Sequence, residues 1–199
     1  MARRKDQEER RRQLKQAARR VIANQGIEGA RIKDVAAEAG LSSQSVLYYY
    51  PEFDELVREA IQHSVERFAE RRFETIDSSG DPREALVAVI RSGLPTGPDD
   101  EDLRVLYEAA GYFRDHPALG ALIRSLTERQ VEVYRRVLEV GESKGVFELA
   151  DTSRSIARNL VALEDAYGLY IIGGAPMVDE AFRQILSFAS MATRCPLDA

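Results

Sequence analysis

Apolar residues recur every three to four positions along most of the chain, the spacing that predicts amphipathic helices. The alternation of apolar and polar residues that indicates strands is missing, and so are the short turns of hairpins. In the first helical segment, one apolar stripe is formed by Leu14, Ala17, Ala18, Val21 and Ile22. The pattern therefore predicts an all-α protein.

Glycine and proline residues divide this pattern into about nine helices. Gly26 and Gly40 end the first two, and Pro51 ends the third because the residue before a proline is disfavoured in helical conformation. The predicted helices cover, in order, residues 6–24, 32–39, 43–49, 52–76, 82–94, 101–114, 118–142, 152–172 and 178–193.

Charge is distributed unevenly between the two parts of the chain. Residues 1–50 carry 11 Lys and Arg against 6 Asp and Glu, a net charge of +5, whereas residues 51–199 carry 17 against 27, a net charge of −10. Lys and Arg side chains that neutralise phosphates supply most non-specific affinity for DNA. A basic head on an acidic body therefore favours binding of nucleic acid, although solvated basic surface gives the same imbalance.

The sequence lacks the groups of polar residues that an enzyme needs. It has two histidines, His63 and His116, and no glycine-rich phosphate loop, clustered metal ligands or plausible Cys-His pair. We expect no catalytic activity, no cofactor and no metal.

Cysteine usage and hydropathy indicate the compartment. Cys195 is the one cysteine, so no disulfide can form within the chain, which fits a reducing environment. No apolar run is long enough to span a membrane, and the charged start lacks the apolar segment of a signal peptide. We expect a soluble cytoplasmic protein with no membrane partner.

The segment from Ile32 to Tyr50 has the pattern of two short helices joined by a glycine turn. Gly40 can adopt the left-handed conformation that ends a helix, Ser42 can cap the next helix, and Val46 points inward. Residues three and four apart then share the opposite, outward face. The pattern favours a helix-turn-helix, either one that reads DNA or an ordinary packing unit of a helical protein.

The outward face carries side chains that suit DNA. Gln44 can pair with adenine through two hydrogen bonds, Leu47 can contact a thymine methyl group, and Tyr48 can donate to a phosphate. The predicted DNA-binding residues are Arg31, Ser42, Ser43, Gln44, Ser45, Leu47, Tyr48 and Tyr49.

From Leu14 to Leu56 the sequence resembles the TetR/AcrR family of bacterial repressors. The matching features are Ala17-Ala18, Gly26, Ile32 to Gly40, Leu41-Ser42, Tyr48-Tyr49-Tyr50, Pro51 and Glu55-Leu56. Family members usually carry a tyrosine where this chain has Leu47 and a lysine where it has Phe53, and both usually contact phosphate. Arg31 and the arginine-rich N-terminal arm can compensate, the arm by entering an A·T-rich minor groove.

The resemblance implies a homodimeric repressor that a small-molecule effector releases from a palindromic operator in double-stranded DNA. It also implies a DNA-binding domain with a basic N-terminal arm over residues 1–50. An effector-binding and dimerisation domain follows over residues 51–199, and the helix 52–76 links the two. The alternative is a helical homodimeric interaction protein that has lost sequence-specific DNA binding.

The resemblance further implies that the last two helices of each subunit form a four-helix dimer interface. Apolar residues on both helices suit that role, and the alternative is that they form the core of a single chain. The predicted interface residues are Leu160, Leu163, Tyr170, Ile171, Phe182, Ile185, Phe188 and Ala189.

An effector cavity is expected, by resemblance, among the fourth to eighth helices. The predicted lining residues are His63, Phe68, Tyr107, Tyr112, Phe113, Tyr134, Glu164 and Tyr167, although aromatic residues at this spacing also form ordinary core. Glu164 and Asp165 interrupt an otherwise apolar helix, and a buried carboxylate needs a partner. Arg158 or an amine ligand can supply it, and a solvated or dimer-spanning carboxylate is the alternative.

Overall fold

The structure is a computed structural model that describes residues 2–77, 80–111 and 116–198. Over these residues it contains nine helices and no strand, which confirms the predicted fold class. The helices are α1 (Ala2–Gln25), α2 (Ile32–Glu38), α3 (Ser43–Tyr49), α4 (Phe53–Asp77), α5 (Pro82–Gly93), α6 (Glu101–Gly111), α7 (Pro117–Ser143), α8 (Ser153–Ile172) and α9 (Val178–Thr193).

The largest difference from the predicted boundaries is at the start of α1. This helix begins at Ala2 rather than at residue 6, so the backbone of the predicted basic arm is helical. Residues 2–5 contain neither glycine nor proline, and their alanine, arginine and lysine residues all favour helix. Residues 2–5 therefore contain no signal that would make α1 begin later than Ala2.

Two compact units divide the chain. Unit 1 comprises Met1–Arg67 and Glu101–Ile123, and unit 2 comprises Phe68–Asp100 and Arg124–Ala199. The helices α4 and α7 each contribute residues to both units. The functional boundary expected after residue 50 stays a prediction, because these units reflect packing alone.

Unit 1 is built on α1, which packs against α2 and α6. Leu14 and Ile22 of α1 are fully buried, together with Val46 of α3 and Leu56 of α4. Arg19, also on α1, is buried and donates through Nη2 to Asp102 Oδ1 of α6 at 2.6 Å. This core gives α3 a fixed support, since its inward face is packed and its outward face is not.

Unit 2 encloses the second apolar core. Its buried side chains come from α5, α7, α8 and α9, and they include Leu86, Leu138, Leu160 and Ile185, each with no exposed surface. Within the described ranges, no helix is both long enough and apolar enough to cross a membrane.

Candidate functional site

The connection between α2 and α3 forms a tight turn. Gly40 adopts a positive φ of 66°, and the Leu41 amide donates to the Ala36 carbonyl at 2.8 Å. The Ser42 hydroxyl then accepts from the Ser45 amide at 3.1 Å, which caps the N-terminus of α3. Side chains with a Cβ are strained at such a φ, so glycine suits the turn. The turn fixes the direction in which α3 leaves it.

Three large side chains of α3 project into solvent, and we call Gln44, Leu47 and Tyr48 the α3 patch. Val46 has no exposed surface, whereas Leu47 is 45% exposed and Tyr48 is 68% exposed. Gln44 is exposed as well, and Ser43 beside it is half-buried. An apolar and an aromatic side chain held outward on a rigid helix are suited to contact a partner.

The other residues predicted to bind DNA mainly shape this element. The Ser42 and Ser45 hydroxyls lie 2.8 Å apart and share a hydrogen bond. Tyr49 is half-buried, with its ring centre 5.1 Å from that of Tyr48 in an edge-to-face contact. Arg31 is exposed, and its Nη1 donates to the carbonyl oxygens of Glu28 and Ala30.

Sequence reasoning missed the contacts that Arg11 makes with the end of α3. Its Nη2 donates to the Tyr49 carbonyl at 3.0 Å, and its guanidinium carbon lies 4.6 Å from the centre of the Tyr50 ring. Carbonyl groups in the last turn of a helix have no partner within that helix, so Arg11 satisfies one of them. A signal was present, because Arg11 precedes Leu14 by three residues and shares its inward face.

A buried charge cluster lies in unit 2. Arg72 of α4 and Glu164 of α8 are each 1% exposed, and they are joined by hydrogen bonds of 3.0 Å from Nη1 to Oε2 and 3.2 Å from Nη2 to Oε1. The fully buried Tyr134 of α7 donates its hydroxyl to Glu164. Arg158, proposed from sequence as the partner of Glu164, is exposed and pairs with Glu128 instead.

Burial dominates the protonation of this cluster. It raises the pKa of Glu164 to about 7, against the lowering influence of the Arg72 charge and of the hydrogen bonds from Tyr134 and Arg72. Burial also raises the pKa of the Tyr134 hydroxyl, and the Glu164 charge adds to that shift. Tyr134 therefore remains a donor at neutral pH.

A close approach by α5 completes the cluster. A Cβ atom at Gly93 would lie 1.9 Å from Glu164 Oε1 and 2.0 Å from Arg72 Nη1, far inside contact distance. Glycine at this position therefore lets the α5 backbone lie directly against the ion pair.

The residues predicted to line an effector cavity are distributed over both units. His63 and Tyr107 are half-buried in unit 1, where burial and then the charges of Arg19, Lys15 and Arg67 lower the pKa of His63. Four others belong to unit 2, namely the buried Phe68, Tyr134 and Glu164 and the half-buried Tyr167. Tyr112 and Phe113 lie outside the described residues.

The predicted interface residues divide into two groups. Five lie in the core of unit 2 with at most 2% of their surface exposed, namely Leu160, Ile171, Phe182, Ile185 and Ala189. They have almost no surface left for a second chain. Leu163 and Phe188 are half-buried, and Tyr170 is 57% exposed.

Exposed apolar side chains that sequence reasoning only partly identified lie on the same two helices. They are Ala162, Ala166, Leu169 and Tyr170 on α8 and Met191 on α9. Leu169 is 56% exposed and Met191 is 67% exposed. We call these five residues the α8/α9 face, and their spacing places the α8 members on one side of that helix.

Comparison with known proteins identifies the region around α3. Residues 14–60 match the family described as bacterial regulatory proteins, tetR family. The HTH-type transcriptional regulator PksA of Bacillus subtilis (strain 168) is 30% identical over 110 residues, which cover 55% of this chain and 54% of PksA. The match thus spans about half the length of this curated relative.

Solved structures match nearly the whole chain. A transcriptional regulator from Saccharomonospora viridis, crystallised in complex with choline, is 26% identical with a TM-score of 0.84, and the match covers 92% of this chain and 96% of that one. A TetR transcription regulator from Haloarcula marismortui ATCC 43049 shares the fold at 20% identity, with a TM-score of 0.81 and coverage of 93% and 98%.

Proposed function

Because this chain belongs to the TetR family of bacterial transcriptional regulators, we propose that it is a homodimeric repressor that binds a palindromic operator and leaves it when a small-molecule effector binds. The observation that carries the proposal is the α3 patch, exposed on a capped helix inside the segment that matches the family. Members of this family regulate transcription and are not enzymes.

In this proposal α3 enters the major groove of DNA. Gln44 accepts from and donates to an adenine edge, Leu47 contacts a thymine methyl group, and Tyr48 donates to a phosphate. Ser43 hydrogen-bonds to a base or a phosphate, and Arg31 contacts a phosphate. The Ser42 cap, Ser45 and Tyr49 hold the helix in position, which the contacts described above support.

Phosphate contacts differ from those usual in the family. Phe53, where a lysine is usual, is half-buried against the core of unit 1 and offers no positive charge. The basic residues of α1 are the proposed substitute, because Arg12 is exposed and Arg10 is half-buried on the same helix as Arg11. Each such contact adds affinity for any DNA sequence and strengthens the salt dependence of binding.

A second copy of the chain is the proposed partner of the α8/α9 face. An exposed apolar stripe at helical spacing is costly in water and is typical of an interface. Two-fold pairing presents two copies of α3 to successive turns of DNA, and the operator is therefore a palindrome.

Light scattering tests the assignment of the α8/α9 face to the dimer interface. Leu169→Asp with Tyr170→Asp should give monomers, whereas Val140→Asp on α7, where Val140 is 41% exposed, should leave a dimer. Dimers in both variants would exclude this face.

Selection of bound duplexes from random DNA tests the operator proposal. We expect the protein to enrich a palindrome and the variant Gln44→Ala with Tyr48→Ala to lose it. Gln62→Ala is the matched control, because Gln62 is exposed on α4 and hydrogen-bonds only with Glu66 four residues along the same helix among the described contacts. No enrichment by the unmodified protein would overturn the proposal.

One observation favours the alternative of an interaction protein without sequence-specific DNA binding. Leu47 and Phe53 replace the two side chains that usually contact phosphate, and the exposed Leu47 also suits an apolar protein surface. The salt dependence of binding distinguishes a DNA-binding regulator from an interaction protein. DNA binding weakens steeply as salt rises because counterions are released on binding, whereas apolar contact does not weaken.

The effector is proposed to be a small organic molecule. The Saccharomonospora viridis regulator was crystallised with choline, and it is similar to this chain over almost its whole length. Thermal shifts across a set of metabolites test for such a ligand, since a molecule that binds the folded state raises apparent stability. A set that includes small cations, anions and neutral compounds and gives no shift would count against effector control.

A further inference from the structure

The Arg72 guanidinium in unit 2 lies in surroundings that suit an organic cation. Its central carbon is 5.6 Å from the centre of the Phe68 ring and 5.2 Å from the centre of the Tyr134 ring. Both distances are within the range of cation–π attraction. The Glu164 carboxylate supplies the opposite charge. We call Phe68, Tyr134 and Glu164 the cation cage.

The cage compensates the positive charge of Arg72, but it does not provide an acceptor for every N–H group of the guanidinium. The two Nη atoms donate to Glu164, but Nε is buried and has no hydrogen-bond partner among the described residues. A buried donor without an acceptor costs free energy. An ammonium ion with alkyl groups in place of N–H donors avoids that cost and keeps the contacts with both rings.

Charge conservation selects the class of ligand that can replace Arg72. Removing the guanidinium leaves the Glu164 carboxylate buried without compensation, which is strongly unfavourable. A monocation restores the balance with Glu164 ionised, whereas an anion does not, and a neutral molecule requires the carboxyl, whose pKa burial raises to about 7, to take up a proton.

We propose that the effector is a small organic monocation with few or no N–H donors, which enters the cation cage in place of the Arg72 guanidinium. The inference rests on the proposed function, since it names the ligand of an effector-controlled regulator. Arg72 lies on α4, which begins in unit 1 at Phe53, so its release acts on a helix shared by both units.

Calorimetric titration of the full chain with tetramethylammonium chloride tests the proposal, with sodium chloride at the same ionic strength as reference. The wild type binds weakly, because only the fraction of molecules with Arg72 outside the cage is competent. The Arg72→Ala variant removes that competition and should bind at least about tenfold more tightly. Adding Glu164→Gln to that variant should abolish the gain.

Arg71→Ala is the matched control, because the Arg71 guanidinium carbon also lies 5.5 Å from the Phe68 ring centre while its side chain is exposed. This variant should bind as the wild type does. If Arg72→Ala alone does not fold, folding restored by tetramethylammonium but not by sodium supports the proposal, and failure of both cations overturns it.

Two further outcomes overturn the proposal. One is equal affinity in the wild type and Arg72→Ala. The other is that tetramethylammonium binds to Arg72→Ala but gives no saturable heat with the wild type. That result would mean that the cage only stabilises the fold and binds no effector. These heats are measured without DNA, so failure here leaves operator binding untouched. Loss of operator selection, in turn, does not alter these heats.

Discussion

The α3 patch and the cation cage are built from similar side chains in opposite surroundings. Each combines a tyrosine, a large apolar residue and a polar or acidic residue. Tyr48 of the patch is 68% exposed, whereas Tyr134 of the cage has no exposed surface and donates to Glu164. The cage already surrounds a partner, Arg72, within the same chain. The patch faces solvent, so its partner is sought outside the chain.

This difference separates two kinds of experimental effect. A substitution in the patch removes few contacts that stabilise the fold, so it should alter binding and leave stability nearly unchanged. A substitution in the cage leaves a buried charge without its partner, so it should alter stability first. The following predictions test that division, from the largest expected effect to the smallest.

Gly93→Ala should disrupt the cage without changing any of its residues. The added methyl group would collide with Glu164 Oε1 and Arg72 Nη1, so the ion pair must separate. We expect the free energy of unfolding to fall by about 3 kcal/mol or more, measured by urea denaturation. Gly97→Ala is the control, because Gly97 lies between α5 and α6 without a positive φ, and a Cβ there would meet no described residue within 4 Å. Equal stability of the two variants would mean that the ion pair adapts at little cost.

The fold was largely predictable because the residues that end its helices act locally. Gly26 and Gly40 both take the positive φ that the predicted helix ends require, and α3 ends at Tyr49, two residues before Pro51. The helical spacing of apolar residues predicted where the other helices lie. The predicted start of α1 at residue 6 was wrong because the charged residues before it were interpreted as an arm, although residues 2–5 all favour helix.

The contacts between helices were much less predictable. Periodicity assigns residues to faces of one helix, but it does not say which faces meet, and Arg72 and Glu164 are 92 residues apart. On α8 the core residue Leu160 and the exposed residue Leu169 are equally apolar, so hydrophobicity alone did not distinguish core from outer face. The need of Glu164 for a partner was a usable signal, but the partner itself required the structure.

The pH dependence of stability should reveal the burial of Glu164. Its pKa is raised to about 7 in the folded protein, against an ordinary value of 4.5. Between these two values the folded state holds a proton that the unfolded state releases, so the contribution of Glu164 to stability falls as pH rises. Each unit of pKa difference is worth about 1.4 kcal/mol. The free energy of unfolding of the wild type, relative to Glu164→Gln, should therefore decrease between pH 5 and pH 8.

Glu132→Gln provides the matched control on the surface of α7. A hydrogen bond from Arg135 lowers the pKa of Glu132, so this carboxyl is ionised in both folded and unfolded states between pH 5 and pH 8. Its difference from the wild type should stay constant over that range. If the difference for Glu164→Gln instead grew with pH, the attraction of Arg72 would outweigh burial, and the cage would bind a cation more firmly at neutral pH.

Arg11→Ala should give the smallest effect and should link stability to the α3 patch. The lost contacts are a hydrogen bond to the Tyr49 carbonyl, a partly exposed contact with the Tyr50 ring, and partly exposed ion pairs with Glu55 at 4.0 Å and Glu59 at 3.6 Å. Together they contribute about 1 kcal/mol, since exposed ion pairs add little. If ordering of α3 limits binding, this cost lowers DNA affinity by up to about fivefold. Arg12→Ala removes the same charge from α1, but Arg12 pairs only with Glu9 among its described contacts. Since Arg12 is itself a proposed phosphate contact, Arg12→Ala measures the effect of losing one positive charge from α1 at the same salt concentration. A larger loss of affinity in Arg11→Ala would report the positioning of α3, and equal affinities would show that Arg11 acts on DNA through its charge alone.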